Sequence, residues 1–324
     1  MNLKEKVLTY LERNREEYLS GEQLAEHFGV SRTAVWKAIG KLREEGYRIE
    51  AVTNRGYRLE EESDILSAAG IAGFMKRGDT ERIHVYPEVD STNNVAKELA
   101  LQGAPHGTIV AADRQTAGRG RMGRSFESPA GTGIYFTIIM RPDADLEQAL
   151  LITTAAAVGV CRAIRGLTGI PACIKWVNDV YIGEKKLCGI LTEAVTDFES
   201  GALESVVTGI GVNFRTPGSA FSETTQARGI CSLYENKAPG VTRNQLLARI
   251  ADEVLAICSD LSDRSFLEDY RRWSVVIGKE ILYIRGNEEK RVRVLDIDQR
   301  GGLVVMTAEG VQETLSSGEI SIRW

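Results

Sequence analysis

Seven residues, Gly118-Arg119-Gly120-Arg121-Met122-Gly123-Arg124, carry the densest chemical signal in the 324-residue chain. Guanidinium forks pair bidentately with phosphate or carboxylate, and glycines let the backbone fold close over a ligand. The run reads as a mobile flap that grips an anion. Its Gly-x-Gly-x-x-Gly spacing also suits a dinucleotide-binding turn, but that turn needs a helix opening at its end to hold pyrophosphate. Here Ser125-Phe126-Glu127-Ser128-Pro129-Ala130-Gly131-Thr132-Gly133 follows, which cannot begin a helix of any length. Three arginines also crowd a turn that should rely on backbone amides. A surface basic patch for nucleic acid stays open as an alternative. No Gly-x-x-x-x-Gly-Lys-Ser/Thr occurs, so any nucleotide is bound without a P-loop.

Four further runs could serve the same site. Asp90-Ser91-Thr92-Asn93-Asn94 ends a strand and caps a helix, offering hydroxyls at a helix N-terminus. Lys175-Trp176-Val177-Asn178-Asp179 places a carboxylate at a turn where a metal or triphosphate could sit. Lys185-Lys186-Leu187-Cys188-Gly189-Ile190-Leu191-Thr192-Glu193 brings a lysine to the start of a strand. Gly209-Ile210-Gly211-Val212-Asn213 is a strand end stripped of side chains, as if a flat ligand packs on it. Singly, each also reads as a cap, a turn or a solvated charge.

Positioning these runs takes an α+β scaffold with a mixed or largely antiparallel sheet. Apolar patterning predicts strands over 83–89, 108–112, 133–141, 172–176, 180–182, 189–195 and 203–212, and helices over 92–102 and 146–167. A polar, glycine-dotted connector with a short helical patch near 65–75 precedes them. From about residue 270 short strands separated by turns (281–285, 289–296, 303–306, 312–316 and 319–323) suggest a small SH3-like β-barrel.

The first sixty residues differ in character. Val7, Leu8, Leu11 and Tyr18 give a first helix its apolar stripe. Ser20 and Gln23 form a capping box for a helix over 22–28, Gly29 supplies a turn, and Ser31 caps a helix to about Glu45. Two helices about a tight turn make a helix-turn-helix. Val30, Val35, Ile39 and Leu42 should face the core, leaving Arg32, Thr33, Trp36, Lys37 and Lys41 outside. Residues 47–52 and 57–60 flank Asn54-Arg55-Gly56 as a hairpin wing. Between Arg32 and Arg58 seven basic residues face three acidic ones, so this stretch is locally positive although the chain carries −5. DNA binding through Ser31, Arg32, Thr33, Trp36, Lys37, Lys41 and Arg55 is the reading, and a helical adaptor for another protein is the alternative.

Composition sets the outer bounds. A 43% hydrophobic content is globular, and the length suits two or three domains. These are expected at 1–62, 63–270 and 271–324. No apolar run is expected to approach the roughly 18–20 residues that span a bilayer, and no signal region opens the chain. Five cysteines without a Cys-x-x-Cys pair and three scattered histidines support neither a zinc site nor a disulfide framework nor a catalytic triad. A cytoplasmic protein with reduced thiols is expected.

In this order the five runs resemble the biotin–protein ligases, whose pattern runs Ser-Thr-Asn, Gly-Arg-Gly-Arg-x-Gly-Arg, Lys-Trp-Pro-Asn-Asp, Lys-x-x-Gly-Ile-Leu and Gly-Ile-Gly-x-Asn. The resemblance covers nearly the whole chain and includes the N-terminal module of the repressor-type members. Val177 stands where the family usually has proline, which should loosen the turn before Asn178, and Phe126 replaces a frequent tryptophan. The resemblance implies a class II synthetase-like central domain, with biotin and ATP–Mg²⁺ as substrates and a biotin carboxyl carrier protein or domain as acceptor. It implies operator DNA as a partner, a homodimer when loaded with biotinyl-5′-AMP, and no membrane. On that pattern Lys186 and Arg121 are catalytic. Ser91, Thr92, Asn93, Gln115, Arg119, Gly123, Tyr135, Gly189 and Gly209 join them around biotin. Arg124, Phe126, Asn178, Asp179, Asn213 and Arg323 join them around ATP or the adenylate, with Asp179 toward Mg²⁺. A regulator that senses a ligand without turnover, and a lipoate ligase, stay open as other readings.

Overall fold

The computed structural model describes residues 2–60, 63–141, 149–196, 203–227, 229–235, 240–285 and 288–322. Its contacts divide the chain into two compact units, residues 1–85 with 241–249, and residues 86–240 with 250–324.

In the first unit, α1 (Leu3–Arg13) starts at a capping box between Asn2 and Glu5. The Ser20–Gln23 box starts α2 (Gly21–Phe28), which Gly29 ends in the left-handed region at φ 64°. Ser31 accepts from the Ala34 amide to start α3 (Arg32–Glu44). Strands β1 (Ile49–Val52) and β2 (Gly56–Leu59) pair antiparallel as a hairpin. Val7, Leu8, Leu11, Leu24, Val35, Ile39, Leu42 and Leu59 make one buried core. This is the anticipated winged helix-turn-helix, with one correction. Tyr18 lies beyond α1 and outside its stripe; its ring carries the Arg55 and Arg58 guanidiniums at 4.1 and 4.6 Å. The connector forms α4 (Ala68–Phe74). Arg243, which begins a later helix, pairs with Asp64 at 3.1 Å, both nearly buried.

The second unit is built on a seven-stranded sheet. Its strands are β3 (Ile83–Val89), β4 (Thr108–Gln115), β5 (Ile134–Met140), β6 (Cys173–Lys175), β7 (Asp179–Ile182), β8 (Lys185–Thr196) and β9 (Leu203–Val212), in the order β3-β4-β5-β9-β8-β7-β6. From β4 to β6 every neighbour is antiparallel. Helix α5 (Thr92–Leu101) links β3 to β4 and packs on β5 and β4, and α6 (Ala149–Thr168) packs on β8. The start anticipated for α6 at Leu146 falls outside the described residues. The expectation about apolar runs needs correcting here. Leu151–Thr168 is an 18-residue window of mean hydropathy 1.3, long enough to cross a bilayer by length and composition, and 72% of it is buried in the fold. A helix packed on all sides has no polar face to break the run.

Helices α7 (Glu223–Gln226), α8 (Arg243–Cys258) and α9 (Phe266–Trp273) follow, and no sequence expectation covered them. The first seven residues of α8 group with the first unit. The last strands are β10 (Glu280–Arg285), β11 (Glu288–Ile297), β12 (Leu303–Thr307), β13 (Gln312–Leu315) and β14 (Glu319–Ile322), antiparallel in the order β13-β12-β11-β10-β14. Among the described residues no pairing joins β13 to β14, so the five strands form one sheet and no closed barrel is found there.

Candidate active site

A cavity of about 440 Å³ opens over the middle of the large sheet. Strands β8 and β9 supply its floor through Gly189, Ile190, Leu191, Gly209, Ile210 and Gly211. Ser91, Thr92 and Asn93 at the start of α5, with Gln115 at the end of β4, form one side. Lys175, Trp176, Asn178, Asp179 and Lys186 form the other. The flap contributes Arg119, Gly120, Arg121, Arg124 and Phe126, and Gly318, Ile320 and Ser321 reach the rim from the last sheet.

The flap is a narrow hairpin and not the opening of a helix. The Phe126 amide donates to Gly118 O at 2.8 Å and the Gly120 amide to Arg124 O at 2.7 Å. A Cβ at Gly118 would lie 2.3 Å from Phe126 O, so the hairpin can close only on glycine. At its tip Met122 takes φ 55° and is 73% exposed. The dinucleotide reading therefore fails on geometry.

Each cation at the site already has a partner. Lys186 Nζ lies 2.7 Å from Asp179 Oδ1, but off any aligned hydrogen-bond direction, which leaves that buried oxygen without a donor. Arg121 reaches Asn178 Oδ1 at 3.3 Å and Gly318 O at 3.2 Å. Arg119 touches Asn94 Oδ1 and lies 3.7 Å from Glu193. Glu193 also accepts from Lys97 Nζ at 2.6 Å and from Asn93 Nδ2 at 2.7 Å. Burial alone would raise the Glu193 carboxyl. The Lys97 and Asn93 hydrogen bonds and the Lys97 and Arg119 charges outweigh it and hold the group below its ordinary range.

From Asn93 a buried network runs under the cavity. Thr137 Oγ1 lies 2.7 Å from Asn93 Oδ1, to which it must donate, and 2.8 Å from Thr92 Oγ1. The Thr92 amide donates to Gln115 Oε1 at 2.9 Å, and Gln115 Nε2 to Ser128 Oγ at 2.8 Å. Such a network fixes the Gln115 amide in one orientation. Ser91, by contrast, makes no capping bond, so its hydroxyl is not committed to the helix.

The glycines of β9 floor the cavity and also make room for two of the protein's own side chains. A Cβ at Gly209 would meet Asn93 Oδ1 at 2.2 Å, and one at Gly211 would meet the Phe126 ring at 2.6 Å. Asn93 and Phe126 occupy the space those glycines leave. The Trp176–Val177 peptide is cis. The expected loosening at Val177 meets several ties: Tyr270 Oη donates to Val177 O at 3.1 Å, Asn178 Nδ2 to Ile190 O at 2.8 Å, and the Ile190 amide to Asn178 O at 3.0 Å.

Thirteen of the anticipated residues line the cavity: Ser91, Thr92, Asn93, Gln115, Arg119, Arg121, Arg124, Phe126, Asn178, Asp179, Lys186, Gly189 and Gly209. Three others stand apart from its lining. Gly123 sits at the flap tip, and Tyr135 lies behind Phe126, its ring 6.3 Å away and its hydroxyl on Pro129 O. Asn213 is buried with Oδ1 unpartnered. Arg323 lies outside the described residues. Glu193, Lys97, Thr137 and Ser128 were not anticipated. Strand alternation could have found Glu193, which shares a face of β8 with Gly189 and Leu191, and Lys97 follows Asn93 by one helical turn.

In the first unit a groove runs between α3 and the wing, lined by Arg32, Thr33, Trp36, Val52, Asn54 and Tyr57 among others. Arg32, Thr33, Trp36, Lys37 and Lys41 are exposed, as anticipated. Ser31 is held to the cap of α3. Arg55 is stacked on Tyr18, whose hydroxyl donates to Glu50 at 2.6 Å, and Glu50 also pairs with Arg58 at 2.9 Å. Part of the local positive charge is thus neutralised internally.

Fold and site together define a multidomain protein with a helix-turn-helix module ahead of a ligase-type domain. Residues 85–213 match the Biotin/lipoate A/B protein ligase family, residues 4–58 an HTH domain, and residues 276–323 the Biotin protein ligase C terminal domain. The chain is 35% identical to the bifunctional ligase/repressor BirA of Bacillus spizizenii over 310 residues, 93% of each chain. It is 30% identical to that of Escherichia coli, covering 95% of this chain and 94% of the relative. A biotin protein ligase from Aquifex aeolicus solved with biotin and ATP superposes with a TM-score of 0.62 at 29% identity, covering 74% of this chain and 98% of that one. The chain belongs to the bifunctional ligase/repressor family.

Proposed function

We infer that this protein is an ATP-dependent biotin–protein ligase and a biotin-responsive transcriptional repressor. One observation carries the ligase half: five separated runs converge on one cavity whose lining holds Lys186 and three flap arginines beside Asp179, the one carboxylate among the described lining residues. That is an environment for two anions that must react with each other.

The reaction has two steps. A biotin carboxylate oxygen attacks the α-phosphorus of ATP, and the bond to the β,γ-phosphates breaks to release pyrophosphate. The amine of a carrier-protein lysine then attacks the biotinyl carbonyl, AMP leaves, and the amine loses a proton. Lys186 neutralises the carboxylate and the α-phosphate as they approach, exchanging Asp179 for the substrate anions. Arg121 closes over the same oxygens, and Arg124 faces the departing pyrophosphate. Ser91, Thr92, Asn93 and Gln115 receive the polar head of biotin, since the network under them presents fixed donors and acceptors. Arg119 and Gly123 belong to the flap that covers it, Gly189 and Gly209 to the floor, and Tyr135 backs Phe126. Asn178, Asn213 and Arg323 serve the nucleotide. Mg²⁺ would enter with ATP and offset the charge of its phosphates, and Asp179 would be the residue that holds it. Among the described residues no group of three or more His, Cys, Asp or Glu could hold a resident metal.

The chain divides functionally into 1–62 for DNA, 63–270 for ligation and 271–324, an SH3-like module, at the nucleotide rim. It works in the cytoplasm on a biotin carboxyl carrier protein or domain, and as a homodimer on operator DNA when loaded with biotinyl-5′-AMP. The test is incubation with biotin, α-labelled ATP and a carrier domain, followed by a gel shift with and without the product. Biotinyl-AMP and carrier labelling are expected, with tighter DNA binding when the adenylate is present. DNA binding without adenylate formation would leave a sensor without turnover.

A further inference from the structure

Two features of α3 have no cause inside the protein. Trp36 is 65% exposed, a large aromatic side chain left at the surface. Gly40 stands one turn later on the same face, in the middle of a helix of 13 residues. Glycine there weakens a helix relative to alanine, and a Cβ at Gly40 would meet nothing within 4 Å. Contrast Gly70, Gly159 and Gly209, where a Cβ would strike a neighbour at 2.6 Å or closer. The protein keeps a projecting indole and a clearance side by side, at a cost in both solvation and helix stability.

The surroundings say what fills them. Arg32, Lys37 and Lys41 are exposed on this helix, and none has an ion-pair partner among the described residues. Glu22 is the one acidic side chain in the described lining of the groove between α3 and the wing. A cationic rim around an apolar projection fits a polyanion whose interior offers apolar contacts, and the major groove of DNA presents the thymine methyl there.

Resting on the DNA-binding reading above, we propose that Trp36 reads sequence by packing on thymine C5-methyl groups, and that Gly40 is the clearance that lets the duplex come close enough. The arginine and lysines then set position on phosphates, and Trp36 supplies discrimination. Thr33, one turn before Trp36 and lining the same groove, can add its methyl to the same contact.

The test uses the full-length protein loaded with biotin and ATP, and a duplex enriched by that protein from a random-sequence pool. The duplex is prepared twice, with thymine and with deoxyuridine, which removes only the methyls. The parent should bind the deoxyuridine duplex roughly 10-fold more weakly. Trp36→Ala should bind the thymine duplex more weakly than the parent does, and should then lose little more on removal of the methyls. Gly40→Ala should raise the melting temperature and yet weaken binding to the thymine duplex about 10-fold or more. A parent indifferent to the methyls, or equal methyl dependence in parent and Trp36→Ala, overturns the role of Trp36. Gly40→Ala binding as tightly as the parent overturns the clearance. Failure to enrich any duplex removes the DNA-binding reading itself, and this inference with it.

Discussion

In the cavity, Lys186 rests against Asp179, Arg121 against Asn178 and Gly318, and Arg119 against Asn94 and Glu193. On α3, Arg32, Lys37 and Lys41 stand in solvent with no ion-pair partner among the described residues. The two regions handle positive charge in opposite ways because their ligands differ. A small anion reacting at one atom needs donors held in place beforehand, so the resting site supplies each cation with a partner to exchange. A long polyanion is bound through release of its counterions, which asks for charges that are exposed and loosely held. Preorganisation in one place and availability in the other follow from the same residue types.

The contrast breaks first at Lys186. Lys186→Ala should cut adenylate formation by roughly 10²–10³-fold, followed as pyrophosphate release, while the melting curve shows a folded protein. Normal pyrophosphate release would remove the ligase assignment of this lysine. The next largest effect is salt. With four cations per protomer on phosphates (Arg32, Lys37, Lys41 and Arg55), and two protomers on the operator, DNA affinity should fall roughly 10⁴-fold between about 50 and 200 mM salt, with a log–log slope of about −7. Lys41→Gln, which removes one contact from each protomer, should make that slope shallower by about two. Adenylate formation should change far less over the same range, since its cations are paired and partly enclosed. An equally steep salt dependence of both activities would erase the distinction.

Arg121→Gly sharpens the account of the flap with a smaller change. Arg121 ties the flap to Asn178 and to the last sheet through Gly318. Without it, activated biotin should escape and label bystander proteins several-fold more than the parent does. Equal bystander labelling would show that the flap does not retain the intermediate.

How far the sequence disclosed these regions depended on whether the cause was local. Caps, turns and alternation act over a few residues. So the Ser20–Gln23 box, the Ser31 cap and the wing turn were readable, and β3 and β9 fell where patterning put them. The loss of the dinucleotide reading was also local, since Ser125–Gly133 could not be a helix. What escaped was set across the chain. Tyr18 was assigned to a helix stripe, because nothing nearby reveals that its partners are Arg55 and Arg58 on the wing. The glycines of β9 suggested a ligand, but nothing nearby revealed that Asn93 and Phe126, far away in sequence, also occupy the space they leave. Helices α8 and α9 were passed over, and α6, anticipated as a helix, was not counted as an apolar run long enough to cross a bilayer. Closure of the last sheet depends on strand ends that no short pattern fixes.

Glu193 offers the finest test, because it links the two modes of handling charge within one site. It is the carboxylate against which Lys97, Asn93 and Arg119 are set. Its pKa lies below the ordinary 4.5, so its contribution is complete above that value and is lost as pH falls through the lowered folded value. Above about pH 5 the parent should therefore show no pH dependence from this group. Glu193→Gln keeps the shape but drops the charge that holds Lys97 and Arg119. Because it acts through Asn93 and the flap and not on the reacting atoms, KM for biotin should rise a few-fold with kcat nearly unchanged. The deficit should stay constant above about pH 5 and shrink in acid, where the parent also becomes neutral at this position. Glu193→Asp should recover part of it. A fall in kcat at constant KM would place Glu193 in the chemical step and not in positioning. A deficit unchanged in acid would mean that the carboxylate charge is not what sets Arg119 and Asn93.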